Sequence, residues 1–274
     1  MPRVAVVTDS STCLPPELLD KFGVTVVPIT VHLPEADRVD GSDQLSRRIS
    51  EAVERDQYVR SSHPFITDYL AAIEESGHEE VIVITPAMEF AGMFRNASLA
   101  AELTQRRAVV VDSRTAAAGQ ALVVLAGAET AASGASLEAV VQVVEEASRS
   151  VDLVATLQTL GPIRRSHRVP APALRGADLA GTCSVFRMRD GTVEPLGDVT
   201  GEEEAFRQIA GFFHNGGGPD AEHCTVFHAD SPAGADRLCE LLGRVDFVSG
   251  FSAAMQLHTG PGVIGAAWLP RRTN

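Results

Sequence analysis

The feature that most constrains the fold is an alternation of short apolar runs with longer amphipathic segments along the first 150 residues. Apolar runs bounded by polar loops predict buried β-strands, whereas amphipathic segments with a period near 3.6 residues predict helices. Their regular alternation indicates βα units around a largely parallel sheet. The predicted strands are residues 4–7, 24–31, 80–84 and 108–111. The predicted helices are residues 15–22, 42–54, 65–75, 91–103, 116–132 and 136–150.

Three of these strands end in polar loops, at residues 8–11, 85–86 and 112–113. Ligands bind at the carboxyl ends of the strands in open α/β sheets. The loops are therefore the first place to look for a binding site.

The pattern changes near residue 151, so we predict two α/β domains, with the boundary there. Residues 1–150 form an N-terminal α/β domain with a parallel sheet, and residues 151–274 form a C-terminal α/β domain with a mixed sheet. The second domain is predicted to contain strands at 151–156, 224–228 and 247–251, a hairpin of 183–187 with 193–196, and helices at 202–214 and 232–242. Residues 216–219, which read Gly-Gly-Gly-Pro, predict a flexible surface turn.

Charge and composition exclude several functions. Acidic residues number 36 against 23 basic ones, for a net charge of −13, so the chain repels phosphate backbones and no nucleic-acid partner is expected. Lys21 is the only lysine, which argues against Schiff-base or P-loop chemistry. The 45% hydrophobic content is that of a globular protein.

The cysteines and histidines show no metal-binding pattern. The four cysteines have no C-x-x-C spacing and the eight histidines are dispersed, so neither a disulfide framework nor a metal or other cofactor is expected. Asp40 and Asp43 form a short acidic cluster that we interpret as a solvated loop and helix cap. With no apolar stretch long enough to span a bilayer, we expect a cytoplasmic protein.

Two motifs raise enzymatic alternatives. Residues 260–265 match G-x-G-x-x-G, but too few residues follow to build a dinucleotide site, so we expect a close backbone turn. Ser252 lies in an approximate nucleophile elbow and Ser231 lies beside His228 and Asp230, which leaves a serine hydrolase or acyltransferase as an alternative. No acidic residue follows Ser252, and Ser231 before a proline is typical of a helix N-cap.

Two other motifs suit an anion such as a carboxylate. Ser61, Ser62 and His63 stand before a predicted helix, where hydroxyl groups and free backbone N–H groups can donate together. His258 and Thr259 stand on a glycine-rich loop. An ordinary helix entry and a structural histidine remain the alternative interpretations.

Taken in order, these motifs resemble the DegV family of bacterial lipid-binding proteins, some of which are fatty-acid-binding subunits of a two-component fatty acid kinase. The motifs are VVTDS at 6–10, DG at 40–41, SSHP at 61–64, AGM at 91–93, VDS at 111–113, TLQTL at 156–160, DGTV at 190–193, HADSP at 228–232 and HTGPG at 258–262. The resemblance covers essentially the whole chain.

The resemblance implies two α/β domains with a long-chain fatty acid between them, its carboxylate at polar loops and its tail in an apolar tunnel. It also implies a protein that does no chemistry itself. The implied partners are an ATP-dependent kinase subunit active in phospholipid metabolism, and a membrane surface contacted peripherally for lipid exchange.

By this resemblance the ligand-binding residues are Ser61, Ser62, His63, Met88, Ala91, His258 and Thr259. Where the family has a serine pair this chain has Ala87 and Met88, which leaves open a different apolar ligand. Arg165 and Arg168 are the candidate docking residues for a kinase. The acidic run at 202–204 argues against kinase docking, so a DegV-like protein without kinase coupling is the second alternative.

Overall fold

The structure, a computed structural model, describes residues 3–42, 44–55, 57–89, 92–158, 160–166 and 181–271. Strands that precede residue 150 form two sheets, one of four parallel strands in the order β2-β1-β6-β7 and one of three antiparallel strands in the order β4-β3-β5. Their bounds are β1 Val4–Asp9, β2 Thr25–Val27, β3 Thr30–His32, β4 Asp37–Val39, β5 Arg60–Ser62, β6 Glu80–Thr85 and β7 Arg107–Asp112.

The helices of this part follow the predicted segments closely. They are α1 Pro16–Phe22, α2 Leu45–Glu54, α3 Ile66–Glu75, α4 Met93–Leu103, α5 Ala117–Ala132 and α6 Leu137–Ser150. Helices α3 and α4 pack on one face of the parallel sheet and α5 and α6 on the other, as the βα pattern predicts.

The remaining strands form one mixed sheet of six, in the order β10-β9-β8-β13-β11-β12. The strands are β8 Asp152–Leu157, β9 Thr182–Arg189, β10 Thr192–Thr200, β11 His223–His228, β12 Phe247–Gly250 and β13 Ile264–Leu269. The helices are α7 Gly161–Ser166, α8 Glu202–Asn215, α9 Pro232–Leu242 and α10 Ala253–Thr259. A mixed α/β fold is thus confirmed.

One predicted strand, at 24–31, is two strands in different sheets. Pro28 separates β2 from β3, and a proline has no N–H with which to continue a ladder. Strand β3 then pairs antiparallel with β4 and with β5, a small sheet that the sequence did not predict because each strand has three residues.

Helix α5 joins the two parts of the chain. All but the last few of its 16 residues are buried, because it packs against β1 and β6 on one side and against β8, β11 and β13 on the other. A helix that is apolar on all sides belongs in an interior. Within the described residues, no helix combines the length and apolarity needed to cross a membrane.

The turn at 216–219 lies at the surface, and two of its glycines pack closely against aromatic side chains. The carbonyl of Gly216 accepts a hydrogen bond of 3.0 Å from Trp268 Nε1. A methyl group at Gly218 would lie 2.3 Å from Phe213 Cδ2. Glycine is present here because large side chains occupy the adjacent space.

Helix α5 packs closely on α6 at Gly127, so we expect a larger side chain there to lower stability. A methyl group there would lie 2.7 Å from Val144 Cγ2, so Gly127→Ala should lower the free energy of unfolding by about 1–3 kcal/mol. Gly211, in α8, has open space around it, so Gly211→Ala should leave stability unchanged or raise it by up to about 1 kcal/mol. Urea unfolding of both variants checks this; equal effects would contradict the packing argument.

Candidate functional site

A largely apolar cavity of about 140 Å³ lies where the two parts of the chain meet. One side is formed by loops at the carboxyl ends of β1 and β6, by β5 and by the starts of α4 and α5. The other side is formed by the six-stranded sheet and by α10. Its lining residues are Ser11, Ile29, Ser61, His63, Pro86, Met93, Ala116, Ala117, Leu153, Leu157, Phe186, Met188, Phe227, Phe251, Met255, His258, Thr259 and Val263.

The floor of the cavity is one face of the six-stranded sheet. Phe227 pairs with Gly265, Gly265 with Ala155, and Ala155 with Phe186, so these four residues form a row on one face. The opposite face packs against α8 and α9 in a separate core. Because side chains alternate between the two faces of a sheet, this row of apolar residues lies on the cavity side and forms an apolar floor.

Helix α10 forms one wall and changes in character along its length. Phe251 precedes the helix, Met255 lies in it, and His258 and Thr259 end it. His258 and Thr259 follow Met255 by three and four residues, which places these three side chains on one face of the helix. All three line the cavity, as does Phe251. The wall is apolar where the helix begins and polar where it ends.

The polar end of the cavity contains a contact between the two motifs singled out as anion sites. Ser61 Oγ lies 2.7 Å from His258 Nε2, although the two residues are 197 positions apart. His63 and Thr259 also line this cavity, and His63 lies against Gly92 at the start of α4. The fold therefore brings the residues of both motifs together.

Ser62 faces the other way, because successive side chains of a strand alternate. Its Oγ lies 2.9 Å from His32 Nε2, and His32 Nδ1 lies 2.7 Å from Asp37 Oδ1. These contacts belong to the small sheet β4-β3-β5. Ser62 is not among the residues that line the cavity.

The loop after β6 offers the cavity no hydroxyl group. Ala87 is buried, and its N–H donates to the carbonyl of Thr115 over 2.7 Å. Met88 is 50% exposed and lies outside the lining. Ala91 and Arg168 fall outside the described residues, and the structure describes no side chain for Arg165.

Asp40 holds the helix that carries His258. Its Oδ1 accepts a hydrogen bond of 3.1 Å from the N–H of Ala254, in the first turn of α10, and its Oδ2 accepts one of 2.7 Å from Ser10 Oγ. The side chain is buried, which corrects its prediction as part of a solvated loop. A carboxylate at a helix N-terminus is stabilising, so Asp40 caps α10 from a distant segment.

A second buried carboxylate lies behind Ser11. Asp9 accepts hydrogen bonds from the N–H of Ser11 over 3.0 Å and from Ser11 Oγ, and Gln120 Nε2 lies 3.4 Å from its other oxygen. Burial raises the pKa of Asp9 to about 6, because removal from water outweighs these hydrogen bonds. Ser11 thus separates a buried acid from the cavity.

The glycines at 260 and 262 make the close turn that the sequence predicts. Both have positive φ, +76° and +81°. A methyl group at Gly260 would lie 2.8 Å from Pro162 Cγ, and one at Gly262 would lie 2.5 Å from Gln158 Oε1. The turn connects α10 to β13 without space for side chains.

The two serines of the hydrolase alternative lie at helix starts. Ser252 Oγ accepts a hydrogen bond of 3.3 Å from the N–H of Met255 and so caps α10. Ser231 is the N-cap residue of α9, and its N–H lies 3.2 Å from His228 Nδ1. The Ser252 contact is that of a helix cap, and the Ser231 contact is made by its backbone N–H, so neither places a serine hydroxyl beside a base.

Sequence reasoning missed the apolar wall of the site. The sequence does not single out Met255, because the short helix α10 is not predicted, nor Phe227 and Phe251, which lie within predicted strands. The spacing of Phe251, Met255 and His258 is a signal that could have found the helix. Phe227 belongs to a predicted strand, but nothing local says which face it occupies.

Comparisons with known proteins agree with this architecture. The family model described as "Uncharacterised protein, DegV family" matches residues 3–271. A DegV domain-containing protein of Deinococcus radiodurans is 30% identical, and the match covers 97% of this chain and 98% of that protein. A DegV domain-containing protein of Streptomyces coelicolor is 29% identical, and the match covers 96% of this chain and 97% of that protein. A Thermus thermophilus DegV family protein, described as fatty acid binding, has a TM-score of 0.88 at 26% identity, covering 98% of this chain and 100% of its own.

The raised pKa of Asp9 makes a prediction about stability and pH. Between its ordinary pKa of 3.8 and its folded value of about 6 the folded chain retains a proton that the unfolded chain has lost. The Asp9 contribution to the free energy of unfolding should therefore fall as pH rises through this window, by about 3 kcal/mol for a shift of two units.

Asp9→Asn should remove this part of the pH dependence, since asparagine is neutral at every pH. Urea unfolding of wild type and variant between pH 4 and 7 measures the difference, with Asp20→Asn as an exposed control. If the free energy of unfolding changes with pH in the same way in wild type and in Asp9→Asn, the pKa of Asp9 is not raised in the folded chain.

Proposed function

The chain belongs to the DegV family, and we propose that it binds a long-chain fatty acid and holds it without transforming it. One observation carries this proposal: a serine and a histidine from distant segments meet at 2.7 Å at one end of an otherwise apolar cavity. That is the arrangement expected for a ligand with one polar end and a long apolar remainder.

The polar end suits a carboxylate. A serine hydroxyl can donate one hydrogen bond, and an imidazole ring can donate from a nitrogen that carries a proton. Because Ser61 Oγ and His258 Nε2 share one hydrogen bond, an Nε2 that carries the proton and donates it to Oγ leaves the Ser61 hydroxyl to donate to the carboxylate, and a hydrogen bond to a charged acceptor is stronger than one between neutral groups. We assign Ser61 and His258 this role, with His63 and Thr259 beside them.

The apolar walls suit an acyl tail. Each buried CH₂ contributes about 0.8 kcal/mol, so several methylene groups supply most of the affinity. The carboxylate would then set the orientation of the ligand and the tail the strength of binding. The Thermus thermophilus relative described as fatty acid binding supports this assignment, since it shares the fold and 26% of its residues.

The loss of the family's serine pair bears on the headgroup. Ala87 is buried and Met88 points away from the cavity lining, so this loop adds no side-chain donor to the carboxylate site. The site therefore depends on Ser61 and His258 more than a site with additional hydroxyl groups would. Substitution of either residue is therefore expected to have a large effect on ligand binding.

We further propose that the bound carboxylate is presented to a kinase subunit, as the family resemblance implies. The acidic run that argued against docking is partly neutralised within the chain: Glu203 pairs with Arg237 at 2.8 Å and with Arg207 at 3.1 Å. Transfer of labelled phosphate from ATP to the bound acid, in the presence of a dihydroxyacetone-kinase-like subunit, tests this step. Binding of the acid without transfer would leave a carrier without kinase coupling.

The first test is the identity of the molecule that copurifies with the protein. Native purification, extraction with organic solvent and mass spectrometry should show a fatty acid in stoichiometric amount, absent from a mock purification. A preparation that contains none, and that binds none when titrated, would contradict the proposed function.

Substitution of the headgroup pair gives the second prediction. Ser61→Ala and His258→Ala should each weaken binding of palmitic acid by about tenfold or more, because a hydrogen bond to a charged group contributes about 1.5–3 kcal/mol. Ser62→Ala is the matched variant on the same strand, and because its hydroxyl faces His32 it should bind nearly as wild type does. Displacement of a fluorescent fatty acid measures all three.

Equal affinities for Ser61→Ala and Ser62→Ala would show that the carboxylate lies elsewhere. Retained affinity in His258→Ala alone would leave Ser61 as the main donor. Far-ultraviolet circular dichroism confirms that each variant is folded before its affinity is compared.

A further inference from the structure

Two phenylalanine rings lie face to face in the apolar part of the cavity. The rings of Phe227 and Phe251 are nearly parallel, with an interplanar angle of 5° and centroids 5.6 Å apart. Both side chains are buried and both line the cavity. Phe227 belongs to β11 and Phe251 to the segment that leads into α10.

The pair lies at the opposite end of α10 from the polar contact. Phe251 precedes the helix, whereas His258 is in its last turn. Five helical steps of 1.5 Å separate Ala253 from His258 by about 8 Å along the axis, and the extended residue Ser252 adds to the distance from Phe251. An acyl tail that leaves the Ser61–His258 pair and follows α10 therefore runs toward the two rings.

The ring of Phe227 cannot retreat into the sheet. It lies over Gly265, where a methyl group would be 2.5 Å from Phe227 Cζ and 2.6 Å from Ala155 Cβ. Only glycine leaves room for the ring at this position. The backbone of β13 lies directly behind it, so pressure from the cavity meets a rigid surface.

The second ring is held by its backbone. The N–H of Phe251 donates to the carbonyl of His228 over 2.8 Å, and the helix that follows is capped by Ser252 and by Asp40. These hydrogen bonds fix the main chain at Phe251, and its buried ring packs against the ring of Phe227. The two rings therefore form a wall rather than a movable gate.

We propose that the stacked pair Phe227–Phe251 closes the tail end of the cavity and sets the longest acyl chain that the protein accepts. This inference rests on the proposed function, and it names the feature of the ligand that the cavity selects. Methylene groups up to the wall are buried and strengthen binding; those beyond it are not accommodated.

The test is a series of saturated acids from hexanoic to eicosanoic acid, measured by displacement of a fluorescent fatty acid. In wild type, affinity should rise by about fourfold for each added CH₂ and then stop rising or fall at one length. In Phe227→Ala and Phe251→Ala that length should increase by two carbons or more. The longest acid should bind at least tenfold more tightly to these variants than to wild type.

Substitutions to leucine are less disruptive than those to alanine and serve as a second test if the alanine variants do not fold. Phe227→Leu and Phe251→Leu retain an apolar side chain and should shift the limit in the same direction by a smaller amount. Phe206→Leu is the matched control, since Phe206 is buried against the opposite face of the same sheet and should leave the limit unchanged.

The outcomes separate this inference from the function on which it rests. Suppose that wild type binds acids. If the chain-length limit is then the same in every variant, or if a variant lowers the affinity for acids of all lengths equally, the two rings do not form the end wall, whereas fatty acid binding stands. If wild type binds no acid of any length, the proposed function fails and the inference fails with it.

Discussion

The hydrogen bonds of Asp40 connect the two parts of the chain at the point on which the site depends. One carboxylate oxygen binds Ser10 in the loop after the first strand, and the other binds the N–H of Ala254 in the helix that carries His258. Because α10 has seven residues, its own hydrogen bonds give it little stability, and its position depends on such external contacts. Together with the Ser252 cap, this anchor fixes where α10 begins and so helps to set the distance between His258 and Ser61.

The same arrangement explains how one cavity acquires two chemically different ends. The polar end is made by a short strand and by the last turn of α10, and the apolar end by a sheet face on which a glycine and an alanine lie between two phenylalanines. The carboxyl end of β1 supplies a buried acid, Asp9, behind the site. A ligand with a charged head and a long tail matches this division.

Much of the fold could be predicted because its elements are long and strongly patterned. The βα units before residue 150 and the helices α8 and α9 follow the predicted segments within a few residues. Four of the elements that were not predicted share a cause: β3, β4 and β5 have three residues each and α10 has seven, so periodicity has too few residues to act on. Pro28 shows that a single residue can divide an apolar run between two sheets.

The sequence by itself determined the α/β class, the apolar interior and the two polar motifs, because these depend on local pattern and residue type. Only the tertiary structure decided that Ser61 faces His258 while Ser62 faces His32. Alternation along a strand predicts that neighbouring side chains lie on opposite faces, but it does not predict which of the two faces the cavity. The tertiary structure likewise decided that Asp40 is buried and that Phe227 stacks on Phe251. These contacts join residues far apart in sequence, and their partners are chosen by packing rather than by local propensity.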